Sequence, residues 1–456
     1  MSFLWTLFWF VVAVGLLVTV HEFGHYWVAR RLGFKVLRFS VGFGRPLLKW
    51  VRGADQVEYV LAAIPLGGYV KLLDEREAPV APADLPRSFT RRPPWQRITV
   101  LLAGPAFNIL FAVLVLWGTY WVNGSNEVRA RVGDVTVDSI AARAGLKSGD
   151  EIQSLDGTPV EGLHDVVLGL LDAVSSRADI VLGVRDSGGA SRTLQLQLPG
   201  AEQRRRLTEP SELFRGLGFE FWTPPQPPVL GSVEHDGPAA HAGLAPGDRI
   251  VAIDGQRMND FRELADYINA RPGQRISIDY LRGGGTHTVS LQVASDRVGD
   301  KPVGHIHVMP PAVRLPDSMI VHTDLGPLAA LSHGGAEAWN LTVLQARLFW
   351  RMVLGKVSLK NLSGPLSIAQ FAGESAEAGP SSFLSTLVIL SLSLGFLNLL
   401  PIPILDGGQI VFQLAEWLKG SPLSERTQVF GQQVGIALLI VLMGVALYND
   451  IARQFS

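Results

Sequence analysis

The chain has 456 residues, enough for several domains, and a formal net charge of −1. A charge so balanced offers no field for nucleic acid or for a strongly acidic partner, and the absence of cysteine excludes disulfides and thiolate chemistry. Hydrophobic residues reach 47% against 18% charged, and the mean hydropathy of +0.24 fits a chain that is part membrane and part soluble.

From Phe3 to Val20 almost every residue is apolar and none is charged. The run is followed at once by His21-Glu22-Phe23-Gly24-His25, and a first membrane-spanning helix is expected within residues 1–26. No basic n-region precedes it and no small-residue cleavage site follows, so it reads as a retained helix rather than a cleaved signal. An acid at such depth costs about 2.5–3.5 kcal/mol on insertion scales, so Glu22 marks a function. On a helix His21 and His25 are i and i+4 and share one face. Two such imidazoles with an adjacent Glu form the zinc-hydrolase arrangement: the histidines hold the metal, and Glu22 takes a proton from the attacking water. The plainer alternative is two polar histidines at a membrane edge.

Residues 27–97 follow as a loop carrying Arg30, Arg31, Lys35, Arg38, Arg45, Lys49 and Arg52. No Lys or Arg precedes the first helix, so the positive-inside rule puts the N-terminus outside and this loop in the cytoplasm. Residues 38–44 and 57–64 read as strands, and Gly67-Gly68-Tyr69 lies between turn residues and a further extended segment. The expectation is a membrane-associated β-loop whose edge either pairs with an extended peptide or packs on the helices. Residues 98–122 are the second span. They contain Gly104-Pro105-Ala106-Phe107-Asn108, which serves as a helix-packing notch or as part of a site lining, with Asn108 a polar group in need of a partner.

Between about 125 and 310 the composition turns soluble, and an internal repeat emerges. Ala141-Ala142-Arg143-Ala144-Gly145-Leu146-Lys147-Ser148-Gly149-Asp150 is matched by Ala239-Ala240-His241-Ala242-Gly243-Leu244-Ala245-Pro246-Gly247-Asp248. Each is followed at equal spacing by an Asp-Gly pair, Asp156-Gly157 and Asp254-Gly255. Two α/β domains are expected, 125–213 and 214–310. The pattern resembles PDZ domains of the bacterial protease type. In those a loop before a strand captures an extended peptide or carboxylate, and Gly216-Leu217-Gly218-Phe219 looks like that loop for the second copy. A pair of steric screens that bind no peptide is the alternative. Residues 311–380 are expected to lie at the outer interface, with an amphipathic helix over Trp339 to Leu354.

A third span is expected within 383–408, running into Asn398-Leu399-Leu400-Pro401-Ile402-Pro403-Ile404-Leu405-Asp406-Gly407-Gly408, and a fourth over 429–449. The prolines break the helix and free backbone polar groups, tolerable at membrane depth only in a buried or cavity-lining segment. Asp406 is then a candidate third metal ligand, unless it is an ordinary turn between helices. Topology favours the ligand. His21 lies about 18 residues along a descending helix, roughly 27 Å, and Asp406 about 23 residues along another, so both reach the same side.

Together these motifs resemble the site-2 protease family of intramembrane zinc metalloproteases over nearly the whole chain. The motifs are H-E-x-x-H at His21–His25, G-x-x-x-N at Gly104 and Asn108, the tandem repeat, and N-x-x-P-x-P-x-L-D-G from Asn398. The resemblance implies a four-helix polytopic membrane protein with a β-loop and two periplasmic PDZ-like domains. It implies Zn2+ held by His21, His25 and Asp406, with Glu22 as general base. Substrate would be held by Asn398, Pro401, Pro403 and Asn108 and by the β-loop at Gly67, Gly68 and Tyr69. One departure is Ser393, where many relatives carry Asn. The implied reaction is cleavage of single-span membrane proteins in the bilayer of the bacterial inner membrane. A truncated anti-sigma factor in an envelope stress response and signal-peptide remnants are the implied substrates. Termini and PDZ domains would be periplasmic and the active site near the cytoplasmic side. A membrane zinc transporter or metal-dependent scaffold is the rival from another class, and Glu22 discriminates, since transport need not have a proton acceptor beside the ligands whereas hydrolysis does. A PDZ assembly factor with a dead site is a second rival, against which the intact ligand set argues.

Overall fold

The computed structural model describes residues 3–209, 211–298, 301–311 and 315–454. Among them, four helices are long and apolar enough to cross a membrane. They are α1 (Phe3–Arg31), α2 (Pro94–Asn123), α5 (Pro380–Asn398) and α7 (Glu425–Gln454). Three further helices accompany them: α3 (Pro327–Val353), α4 (Pro365–Ala378) and α6 (Asp406–Lys419). A helix of sufficient length and apolar character stands at each position where a span is expected. The helices α1, α2 and α7 run longer than expected, because their polar ends continue the helix beyond the apolar stretch.

Two elements differ from expectation. The third span stops at Asn398. Leu399 to Leu405 is not helical, and Asp406 opens the separate helix α6. The amphipathic segment is longer than Trp339 to Leu354 and does not stand apart at a surface. Its buried Ala338 shares a core with Ala112 and Leu116 of α2 and Val388 and Leu392 of α5. Gly334 lets α3 approach, since a Cβ there would sit 3.1 Å from Leu116.

The loop after α1 is a long hairpin, β1 (Val36–Arg52) and β2 (Val57–Leu72). It is folded back on itself, because Val41 faces both Leu61 and Gly68, and Phe39 faces both Tyr59 and Val70. The first half of β1 therefore lies between the two halves of β2. The segment Gly68–Leu72 is paired on one side only, as an edge. Phe43, Leu47, Leu48, Trp50 and Val51 are exposed along the hairpin.

The inserted region between α2 and α3 leaves and returns through one ribbon, Ser125–Val128 paired antiparallel with Ile320–Thr323. Beyond it lie two units of one topology, each a four-stranded sheet. The first has strand order Thr158–Pro159, Glu151–Leu155, Asp179–Arg185, Ser191–Gln197. The second has Gln256–Arg257, Arg249–Ile253, Arg275–Arg282, Gly285–Gln292. The repeated residues earn their positions physically. Asp156 and Gly157 have φ of 49° and 80°, and Asp254 and Gly255 have 48° and 80°, the pair of positive φ values that a two-residue hairpin turn requires. Asp150 and Asp248 are buried and each accepts a backbone N–H from three residues before it, Lys147 and Ala245, and a guanidinium, Arg192 and Arg282.

The boundary between the units is not where the repeat placed it. Gly216-Leu217-Gly218-Phe219 belongs to the first unit, not the second. Leu213, Leu217 and Phe219 are buried in the first core, and Phe219–Phe221 pairs with Val132–Val135. In the second unit the matching strand is Val308–Met309, paired with Ser232–Val233. Each unit thus takes its closing strand from after its helix and hairpin, so a loop that precedes the second repeat in sequence completes the first in space.

Candidate metal centre

His21 and His25 leave one face of α1 near its end, with both rings buried and 4.9 Å apart between centroids. Asp406 reaches them from the first turn of α6. Two close approaches permit that turn: a Cβ at Gly407 would meet the Leu399 carbonyl at 2.2 Å, and one at Gly408 the Ile402 carbonyl at 2.1 Å. The D-G-G sequence therefore folds α6 back under the chain that leads to it. Gln409 secures the fold by donating its side-chain amide to the Pro403 carbonyl at 2.7 Å.

Three atoms converge. His21 Nε2 lies 3.1 Å and His25 Nε2 3.4 Å from Asp406 Oδ2, and the two Nε2 atoms are 3.2 Å apart. Zinc with ligand distances of about 2.0–2.2 Å and tetrahedral angles sets its ligand atoms about 3.3–3.5 Å from one another. The triangle is close to that size. Asp406 Oδ2 is buried and, despite these short distances, lacks the geometry of a hydrogen bond to any partner. Two imidazole nitrogens and one carboxylate oxygen, brought within 3.4 Å of one another, fit a zinc ion with one position left open.

Helix α2 supports the pair from behind. His25 Nδ1 donates to the Val100 carbonyl at 2.7 Å, which directs its Nε2 lone pair at the cluster. Gly104 lies between the two rings: a Cβ there would be 2.3 Å from His25 Nε2 and 2.7 Å from His21 Cε1. Asn108 reaches His21 Nδ1 with its amide at 3.2 Å.

A cavity of about 680 Å³ opens beside the cluster. His21, Glu22, His25 and Asp406 line it, together with Gly67, Gly68 and Tyr69 from the sheet edge and Asn398 from the end of α5. These expected residues are brought together. Three others are not among the lining. Asn108 is fully buried behind His21, where α2 turns its side chain away from the cavity. Pro401 is exposed, and Pro403 packs its ring beside Gly435 of α7; neither lines the cavity. The Val100 carbonyl and the Gly104 approach were missed in the sequence, although Gly104 and Asn108 carry a signal, since they repeat the four-residue spacing of His21 and His25.

The sequence profile of peptidase family M50 matches residues 9–442. The chain is 40% identical over 457 residues to a Neisseria meningitidis protein named as a zinc metalloprotease, covering 98% of this chain and 99% of that one. It is 38% identical over 457 residues to the regulator of sigma-E protease RseP of Escherichia coli, covering 99% and 100% of the two chains. With the protease RseP of Yersinia pestis it shares 40% over 458 residues, again across 99% and 100%. Among solved structures, the PDZ domain of the SdrC-like protein of Listeria monocytogenes is 26% identical and covers 20% of this chain and 93% of its own, at a TM-score of 0.17.

Proposed function

The chain belongs to peptidase family M50 and is a zinc metalloprotease, and from that premise we propose that it cleaves single-span membrane proteins within or beside the bilayer. The observation that carries the proposal is the cavity, in which the His21, His25 and Asp406 triangle, Glu22 and a one-sided strand edge face the same space. When bound, zinc supplies a Lewis acid that acidifies water and polarises a peptide carbonyl. The three ligands hold it, and Glu22 accepts the proton of the attacking water and passes it to the leaving amine. The C–O bond forms first, the C–N bond breaks once the amine nitrogen is protonated, and one water is consumed.

A helical substrate hides its carbonyls in its own hydrogen bonds, so the segment to be cut must be extended. The Gly68–Leu72 edge supplies the missing backbone partners by strand addition, with Tyr69 and Asn398 beside it. Pro401 and Pro403 act at one remove, by shaping the chain that presents Asp406. The two repeat units are PDZ-like screens that admit substrates already shorn of their outer domain. In the proposed orientation the N-terminus and the inserted region face the periplasm, and the metal lies toward the cytoplasmic side of the inner membrane. The relatives named as regulators of sigma-E fit a truncated anti-sigma factor as the principal substrate; signal-peptide remnants are the second class proposed.

Purified protein is to be tested on a model single-span substrate as wild type, as Glu22→Gln, and after zinc removal and return. The proposal expects Glu22→Gln to keep its zinc and lose cleavage, and the stripped enzyme to regain activity with zinc. Undiminished cleavage by Glu22→Gln would sink the mechanism.

A further inference from the structure

Asn108 has no path to substrate: it is fully buried, and its amide meets only one of the histidines. Its backbone carbonyl accepts the Ser391 hydroxyl at 2.8 Å, which fixes α2 to α5 at this level. The amide is therefore held in place, and the question is which end of it faces His21.

As placed, Asn108 Nδ2 lies 3.2 Å from His21 Nδ1, while Asn108 Oδ1 is buried with no partner. An amide N–H can donate to Nδ1 only if Nδ1 is bare, which in a neutral ring puts the proton on Nε2. That proton would occupy the lone pair aimed at Asp406 and His25. With the amide turned end for end, which leaves its shape unchanged, Oδ1 accepts from Nδ1–H and Nε2 is free. The neighbouring histidine has this arrangement already: His25 Nδ1 donates to the Val100 carbonyl and its Nε2 faces the cluster. Val100, Gly104 and Asn108 are four residues apart on α2, opposite His25 and His21 on α1. The row reads as carbonyl, clearance, carbonyl.

We propose that Asn108 is the positioning residue of the metal centre, its side-chain carbonyl accepting the Nδ1 proton of His21 and so fixing the ring tautomer and orientation that binds zinc. This rests on the zinc reading above and assigns the asparagine of the G-x-x-x-N motif to the ligand instead of to the substrate. Outer partners of this kind are worth about 10–100-fold in metal affinity.

The test measures zinc affinity of the full-length detergent-solubilised protein by competition with a chromogenic chelator. The absorption spectrum of the cobalt-substituted protein serves as an independent readout of ligand geometry. Asn108→Leu keeps the shape and removes the acceptor; Asn108→Asp keeps an acceptor and removes the amide donor. We expect Asn108→Leu to bind zinc about 10–100-fold more weakly with altered cobalt bands. We expect Asn108→Asp to bind at least as tightly as wild type, with wild-type bands. Wild-type affinity in Asn108→Leu overturns the assignment, as does weakening in Asn108→Asp, the result a donating amide would give. If Asn108→Leu does not fold, Asn108→Asp decides alone. Wild-type protein that takes up no zinc would refute the metalloprotease reading itself, whereas zinc uptake indifferent to position 108 would refute only this assignment.

Discussion

Arg97 and Glu416, 319 residues apart in the chain, form an ion pair at 2.9 Å that is buried on both sides. Arg97 stands in the first turn of α2, and Glu416 lies on α6, the helix that begins with Asp406. The second oxygen of Glu416 accepts the backbone N–H of Leu423, past the end of that helix. The pair thus secures the helix carrying the carboxylate ligand against the helix that backs the two histidines. Removing one partner of a buried pair leaves an uncompensated charge, at a cost of about 3–5 kcal/mol. Arg97→Met is expected to lower thermal stability and to loosen zinc together. The double variant Arg97→Met/Glu416→Leu is expected to recover most of the stability, because it removes both charges. Melting curves and zinc content of the three proteins test this; a double variant no better than Arg97→Met would show that the charges themselves are not the issue.

Gly104 makes a sharper prediction. Its missing side chain leaves room for the two histidine rings, and the nearest atom to an added Cβ would be His25 Nε2 at 2.3 Å. Gly104→Ala is expected to abolish zinc binding while leaving α2 helical. On the same helix, a Cβ at Gly118 would meet nothing within 4 Å, so Gly118→Ala is expected to keep full zinc and activity. Metal analysis of the two purified variants separates a local requirement from a general one.

In the inserted region, Gly218 has φ of +80°, and an added Cβ would lie 2.1 Å from the Ser139 side chain. Gly218→Val is expected to unfold or loosen the first unit, residues 130–222, and to leave residues 229–309 protected. Hydrogen exchange read along the whole chain checks this. Loss of protection in the second unit alone would restore the loop to the second repeat.

A pH effect follows from Asp248. Burial pushes its carboxyl up, but the Arg282 guanidinium and the Ala245 N–H outweigh burial and hold it below the usual carboxylate range. A group whose folded value is depressed adds stability at any pH above its unfolded value of about 3.9, and that stability is lost as pH falls from there through the lower folded value. Protection of Ile250, Ile253 and Ile278 against hydrogen exchange is expected to fall over that acid window. In Asp248→Asn it is expected to be lower at neutral pH and to change less with acid.

What could be read in advance depended on distance along the chain. His21, Glu22 and His25 were legible because a helix alone puts i and i+4 together, and the four spans because apolar runs announce themselves. The hairpin after α1 was legible as strands, but not its doubling back, which sets Gly68–Leu72 at the edge. The order of closing strands misled: a Gly-Leu-Gly-Phe loop that runs toward the second repeat completes the first, because Phe219–Phe221 pairs with residues some 85 positions upstream. Helix α6 was hidden behind two prolines that read as a terminus. Asn108 was visible as a polar group needing a partner, but its partner lies on another helix, and nothing local says which side of α2 it faces.

The ribbon of Ser125–Val128 with Ile320–Thr323 brings the two ends of the inserted region side by side. A segment whose two ends meet in one ribbon can grow, shrink or be replaced without rethreading the helices beneath it. Its bulk and its choice of partners can therefore diverge freely while the chemistry stays where it is. Arg351 adds a lateral strut, bonding both oxygens of Asp172, backbone and side chain, on the first unit. Beyond α3, Ser358 and Asn361 bond Thr208, and Lys360 pairs with Glu209, so the first unit is braced sideways as well as hung from the ribbon.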